Sequence, residues 1–137
     1  MGNIIEVYTQ KKEYEREIPT AKKYITALFQ YFHIKNAHLA LFFVSPQKMR
    51  VLNRKFRGKD KTTNVLTFVE PSDFIHSSKR THLGELYINL EYIKKHNQSL
   101  VHMIVHGFLH IQGYDHKNDK EEKEMVTKEG EVLTFIG

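Results

Sequence analysis

The segment from Leu100 to Gln112, L-V-H-M-I-V-H-G-F-L-H-I-Q, is apolar on nearly every side. A helix that is apolar all round has to be buried all round. Whatever fold this chain adopts must therefore wrap that helix. It must also give His102, His106 and His110 partners, because buried polar groups are rarely left unpaired. Both ends of the helix are marked. Ser99 can accept a hydrogen bond from the first turn, and Gly113 suits the left-handed position just past the last one.

The remaining segments supply the cover. Asn3 to Thr9 alternates polar and apolar residues and reads as an edge strand. Pro19 suits a first helical turn. Ala21, Tyr24, Ile25, Leu28, Phe29 and Phe32 follow at helical spacing and predict one buried face. Leu39 to Val44 is the longest apolar run; it is far too short to span a membrane and predicts a buried central strand. Ser45-Pro46 opens a helix running to about Phe56, and Gly58 to Lys61 is a polar loop. Asn64 to Val69 reads as a strand and Glu70 to Thr81 as a mobile surface loop. Leu83 to Asn89 is a further strand, in which Gly84 marks a bulge or a close approach. A helical stretch from Asn89 weakens at His96-Asn97-Gln98 and precedes the buried helix. Asn118 with Glu121 resembles a capping box for a last helix, whose Met125, Val126 and Leu133 are expected to face the core.

The element order is β-α-β-α-β-β-α-α-α, with no repeat and no linker. The chain has 137 residues, 40% hydrophobic and 27% charged. That predicts a single domain over 1–137 and an α+β fold, helices packed on a small mixed four-stranded sheet. The absence of cysteine excludes disulfides, thiolate metal sites and cysteine nucleophiles. The opening M-G-N-I-I-E-V-Y has no basic flank before an apolar stretch, so no signal peptide is expected.

The chemistry is expected in H-G-F-L-H-I-Q-G-Y-D-H, His106 to His116. Four helical residues turn about 400° and rise about 6 Å, so His106 and His110 leave one side of the helix a turn apart. Helices offer two nitrogens to one metal ion at this spacing. A straight helix would carry His116 about 9 Å further along the axis. A left-handed residue at Gly113 can instead turn the chain back and make His116 a third ligand. Three neutral imidazoles leave a fourth position open, as in catalytic zinc sites. His102 shares the face but lies about 12 Å along the axis from His110, too far to share an ion; it is expected at the mouth of the site. His33, His38, His76, His82 and His96 have no metal spacing and read as surface or boundary residues. The spacing makes this a metzincin-like metal-binding helix. Yet Gly107 stands where zinc peptidases of the H-E-x-x-H type carry their glutamate base, which disfavours peptide hydrolysis.

Charge narrows the substrate class. The formal net charge is +5, and Gln47 to Lys61 holds seven basic residues against one acid, Asp60. The last 21 residues hold four lysines and six acids, so the basic excess lies in the body of the chain. A localised basic stretch suggests a phosphate-bearing partner.

Three segments together resemble a known family. H-G-F-L-H-I-Q-G-Y-D-H resembles the signature of the YbeY family of bacterial rRNA maturation endoribonucleases. L-N-R-K-F-R-G-K-D-K-T-T-N-V-L-T-F, Leu52 to Phe68, resembles that family's N-x-x-F-R and T-D-V-L-S-F. L-G-E-L-Y-I, Leu83 to Ile88, resembles L-G-D-I-x-I. The segments stand in the family's order, and the resemblance covers nearly the whole chain. It implies a cytoplasmic, metal-dependent single-strand endoribonuclease acting at the 3′ end of 16S ribosomal RNA and in ribosome quality control. Its implied partners are ribosomal RNA and the ribosome, with no membrane association.

The resemblance maps the metal ligands onto His106, His110 and His116, with one Zn²⁺ or another divalent transition metal per chain. It maps a functional arginine onto Arg57, expected to hold a phosphate by a planar, bidentate contact with Phe56 buried beneath it. Lys55, Lys59, Lys61 and His102 are expected to contact the RNA. Asn64, Thr67 and Glu85 depart from the family's usual aspartate, serine and aspartate. Two other readings use the same residues: a metal-dependent hydrolase of peptides, and a ribosome assembly factor with a structural metal.

Overall fold

The computed structural model describes residues 2–69 and 80–137. The elements are β1 (Ile4–Thr9), a 3-10 turn (Lys12–Glu17), α1 (Ile18–Tyr31), β2 (Ala37–Phe43), α2 (Pro46–Arg57), β3 (Val65–Val69), β4 (Thr81–Ile88), α3 (Leu90–Lys95), α4 (Leu100–Ile111) and α5 (Asp119–Ile136). The sheet order is β1-β2-β4-β3; β2 is parallel to both β1 and β4, and β3 is antiparallel to β4. This is the expected mixed four-stranded α+β sheet, with β1 at an edge and β2 inside. The loop expected over 70–81 lies outside the described residues as far as 79, and Thr81 already belongs to β4.

Strand alternation sorts the core into two layers, since successive side chains point to opposite faces. Leu39, Leu41 and Phe43 of β2 and Leu86 and Ile88 of β4 pack with Ile25 and Leu28 of α1, Ile104 and Phe108 of α4, and Met125 of α5. On the other face Val44 and Leu66 meet Met49 and Leu52 of α2. Each such side chain contributes about 1.5–3 kcal/mol by leaving water. The largely apolar α4 is thus the element sandwiched between sheet, α1 and α5, as its composition requires. Gly84 fulfils both of its expectations. Pairing jumps from His38↔His82 to Leu39↔Gly84, leaving Leu83 as an extra residue, and a Cβ at Gly84 would lie 2.3 Å from the Phe68 carbonyl oxygen.

One buried residue falls where nothing is expected, and three expectations are corrected. Tyr14, in a stretch with no expected element, is buried within the 3-10 turn and donates its hydroxyl hydrogen to Glu91 at the start of α3. Val126 is exposed rather than buried; the inward stripe of α5 is Met125, Glu129 and Val132. Phe56 is 55% exposed. The inward residues of α2 are Met49, Leu52 and Asn53, whereas Phe56, in the last turn, meets Phe68 edge-on at 5.0 Å. His82 is buried, because its ring stacks on that of His38 across the sheet, and Nε2 of His38 contacts Glu6.

Candidate metal centre and groove

Helix α4 begins where Ser99 Oγ accepts the His102 N–H and ends in a turn built on Gly113. There the Tyr114 N–H donates to the Leu109 carbonyl and the Gly113 N–H to that of His110, each at 3.0 Å. This pair of bonds, with Gly113 at φ 101°, is a Schellman termination. The turn does two things for the site. It presents the Tyr114 carbonyl 3.0 Å from His110 Nδ1, and it brings His116 back beside the helix. The His116 ring centroid is 5.2 Å from that of His110 and 6.3 Å from that of His106. Among the described residues, this trio is the group of His, Asp or Glu side chains that converges on one point, with one ligand atom from each within 4.8 Å of the others.

The outer nitrogens decide what the inner ones carry. His106 Nδ1 lies 2.8 Å from Glu129 Oε1, and His110 Nδ1 faces the Tyr114 carbonyl. A carboxylate and a carbonyl only accept, so in the neutral rings both protons belong on Nδ1. The two Nε2 atoms are then bare lone pairs, and they face each other at 3.2 Å. Such an arrangement repels unless a cation lies between them. Two nitrogens bound tetrahedrally to zinc at about 2.0–2.1 Å would be about 3.3 Å apart. The donor set therefore fits a metal ion. Burial, reinforced by the neighbouring His106 and His116, holds His110 below the usual histidine range, which keeps it a neutral ligand.

The trio forms one wall of a groove of about 510 Å³, a size ordinary for ligand sites. Phe56 and Arg57 come from the end of α2, and Thr63 to Phe68 from β3 and the residues leading into it. Arg57 is exposed there and makes no ion pair among the described residues. Buried Asn53 donates to the Lys61 carbonyl at 2.8 Å, tying down the loop that follows Arg57. Lys55, Lys59 and Lys61 are exposed near that wall without lining the groove, and Lys55 lies over the Phe56 ring at 5.3 Å. Arg50 is occupied by Asp60 through two hydrogen bonds of 2.9 and 3.1 Å. His102, expected at the mouth, is not among the lining residues; its Nε2 is bonded to Glu129 Oε2 at 2.6 Å.

Gly107 faces the sheet. A Cβ there would meet Leu86 Cδ2 at 2.7 Å and methyls of Thr67 and Val65 at 3.3 Å. A glutamate at this position could not reach the groove without pushing α4 off β3 and β4. Two acids near the centre escaped the sequence reading. Asp115 lines the groove and accepts the His116 N–H at 2.8 Å, which holds its carboxyl below the usual range. Glu129 is buried; desolvation opposes its ionisation, but the bonds from His102 and His106 outweigh it and lower its pKa. Its signal was an acid on an apolar helical stripe, four residues after Met125 and three before Val132. Asn64, where the family usually has aspartate, accepts the Val65 N–H at 2.7 Å and donates to Gln98 at 3.2 Å. A carboxylate could make the first of these bonds but not the second.

A family model described as Endoribonuclease YbeY matches residues 4–137. An Endoribonuclease YbeY from Oenococcus oeni is 31% identical, the match covering 100% of this chain and 98% of the relative. One from Buchnera aphidicola is 35% identical over 98% of this chain and 90% of its own length. The solution structure of a Thermotoga maritima protein aligns with a TM-score of 0.62 at 26% identity, over 96% of this chain and 88% of that one. With a fold that aligns over 96% of its length to that structure, and a family match over residues 4–137, the chain belongs to the Endoribonuclease YbeY family.

Proposed function

We propose that this chain, acting as one domain over 1–137, is a zinc-dependent endoribonuclease that cleaves single-stranded RNA during ribosomal RNA maturation. The observation that carries the reading is the pair of bare Nε2 atoms 3.2 Å apart, joined by His116, on a groove whose opposite wall presents Arg57. His106, His110 and His116 hold one Zn²⁺ per chain. When bound, zinc supplies a Lewis acid for a phosphoryl oxygen and lowers the pKa of water to about 7. Arg57 grips the scissile or a neighbouring phosphate through its planar fork, a contact lysine cannot copy. Lys55, Lys59 and Lys61 attract the backbone without reading its sequence. Asp115 holds the backbone of His116 and so keeps the third imidazole turned inward. The substrate is the 3′ end of 16S ribosomal RNA, reached on the ribosome in the cytoplasm. Among the described residues no helix is long and apolar enough to cross a membrane.

The peptidase alternative loses its ground at Gly107, which packs on the sheet and leaves no place for a glutamate base. The test is elemental analysis with an RNA cleavage assay on wild type and His110→Ala. About one zinc per chain and metal-dependent cleavage, both lost in the variant, are expected. Full cleavage by a zinc-free His110→Ala protein would overturn the proposal.

A further inference from the structure

The reaction as described uses three histidines but not the carboxylate behind them. Glu129 lies midway along α5, 8% exposed, between the buried Met125 and Val132. Placing an acid on such a stripe is unfavourable unless its charge is paired and hydrogen-bonded. Here both oxygens are engaged, Oε1 with His106 Nδ1 at 2.8 Å and Oε2 with His102 Nε2 at 2.6 Å. His102 and His106 sit one turn apart on α4, so one carboxylate bridges two successive turns of the metal-binding helix. Of the three inward-facing imidazoles, His106 has a full negative charge behind it, whereas His110 has a backbone carbonyl. A carboxylate behind a ligating imidazole fixes its tautomer and raises its basicity.

We infer that Glu129 is a positioning residue for the metal centre: it holds the His106 proton on Nδ1, aims Nε2 at the ion, and is itself locked in place by His102. The inference rests on the metal reading of the three histidines. It assigns His102 a role in the metal-site scaffold and not in RNA contact. It also makes α5 a partner of the centre, since the ion pulls on His106, His106 on Glu129, and Glu129 on the helix that carries it. Zinc binding should therefore slow amide exchange around Glu129 as well as in α4.

The test compares wild type, Glu129→Gln and His102→Ala, with zinc alone as the probe. Glutamine keeps the shape and can still accept from His106, but it carries no charge. Its zinc dissociation constant, read by competition with a chromophoric chelator, should rise about 10–100-fold. Its metal-free melting temperature should stay within a few degrees of wild type. His102→Ala, which leaves the Glu129–His106 bond intact, should lose much less affinity. Zinc should slow exchange in α5 of wild type and not of Glu129→Gln. Unchanged zinc affinity in a less stable Glu129→Gln protein would make Glu129 merely structural and overturn the inference. The tautomer gives a check that needs no variant: ring nitrogen NMR of zinc-loaded wild type should place the His106 proton on Nδ1, and a proton on Nε2 would overturn the inference. Failure of wild type to bind zinc at all would overturn the metal reading and this inference together.

Discussion

Gly107→Ala adds one methyl where α4 crosses the sheet. The new carbon would stand 2.7 Å from Leu86 Cδ2 and 3.3 Å from methyls of Thr67 and Val65. Carbon atoms in contact settle at about 3.5–4.0 Å, so the closest approach is short by about 1 Å. Leu86 is fully buried and cannot swing aside freely. Overpacking of this kind costs about 1–3 kcal/mol, and the better helix propensity of alanine returns about 1 kcal/mol. The expected net loss is about 0–2 kcal/mol, or up to about 8 °C in Tm for a chain of this size. The functional loss should be larger. His106 and His110 ride on α4 and move together, so zinc binding should survive. Arg57 and β3 stay with the sheet, so the metal shifts relative to the phosphate grip. A displacement near 1 Å can cost about 10²-fold in rate. Gly130→Ala is the control, at an exposed position of α5 with nothing within 4 Å of the added carbon; it should stabilise by about 0.5–1 kcal/mol. Calorimetry, zinc stoichiometry and RNA cleavage are measured on both variants. A Gly107→Ala protein more stable than wild type, with normal cleavage, would refute the close helix–sheet contact and its role in setting the groove.

Arg57→Lys should retain zinc and most RNA affinity while cleavage falls about 10²-fold, the usual loss of a transition-state contact; near-normal cleavage would reduce Arg57 to one more cation of the patch. His116→Ala should weaken zinc binding beyond the about 10–100-fold expected of a supporting residue, and His102→Ala should not; elemental analysis showing the reverse would mean the wrong histidines were paired. The folded-state pKa of His110 is lowered from its ordinary 6.5, so below about that pH the unfolded chain takes up the proton first. Metal-free stability should therefore fall as pH drops from 6.5 toward the lowered value and be steadier above it. His110→Gln should remove that part of the slope, and identical melting profiles from pH 8 to 5 would contradict it.

What could be read from the chain followed from local periodicity and from backbone constraints. The spacing of His106 and His110 is a property of any α-helix, and Gly113 announces the turn that returns His116. Helix α1 and strand β2 are likewise visible, the first from an unbroken helical period and the second from a continuous apolar run, Leu39 to Val44. Readings failed where a tertiary partner overrode the pattern. Glu129 interrupts the apolar period of α5, so the pattern points Val126 inward when the true stripe carries a charge bonded to two histidines. Phe56 continues the inward stripe of α2 on paper, but at the last turn of the helix it faces the groove. Tyr14 is buried through a hydroxyl bond to Glu91, a partner 77 residues away that no local window contains. His82 follows the same logic, held under by its cross-strand neighbour His38.

The most direct measurement is a zinc titration of metal-free protein that reads cleavage of a single-stranded RNA carrying the 16S 3′ end. Cleavage should be absent without metal, rise in proportion to zinc added, and level off at about one equivalent per chain. His110→Ala should stay inactive throughout the titration. Cleavage by the metal-free protein, or a plateau reached equally by His110→Ala, would contradict the assignment of the three histidines as the centre of an RNA-cleaving enzyme.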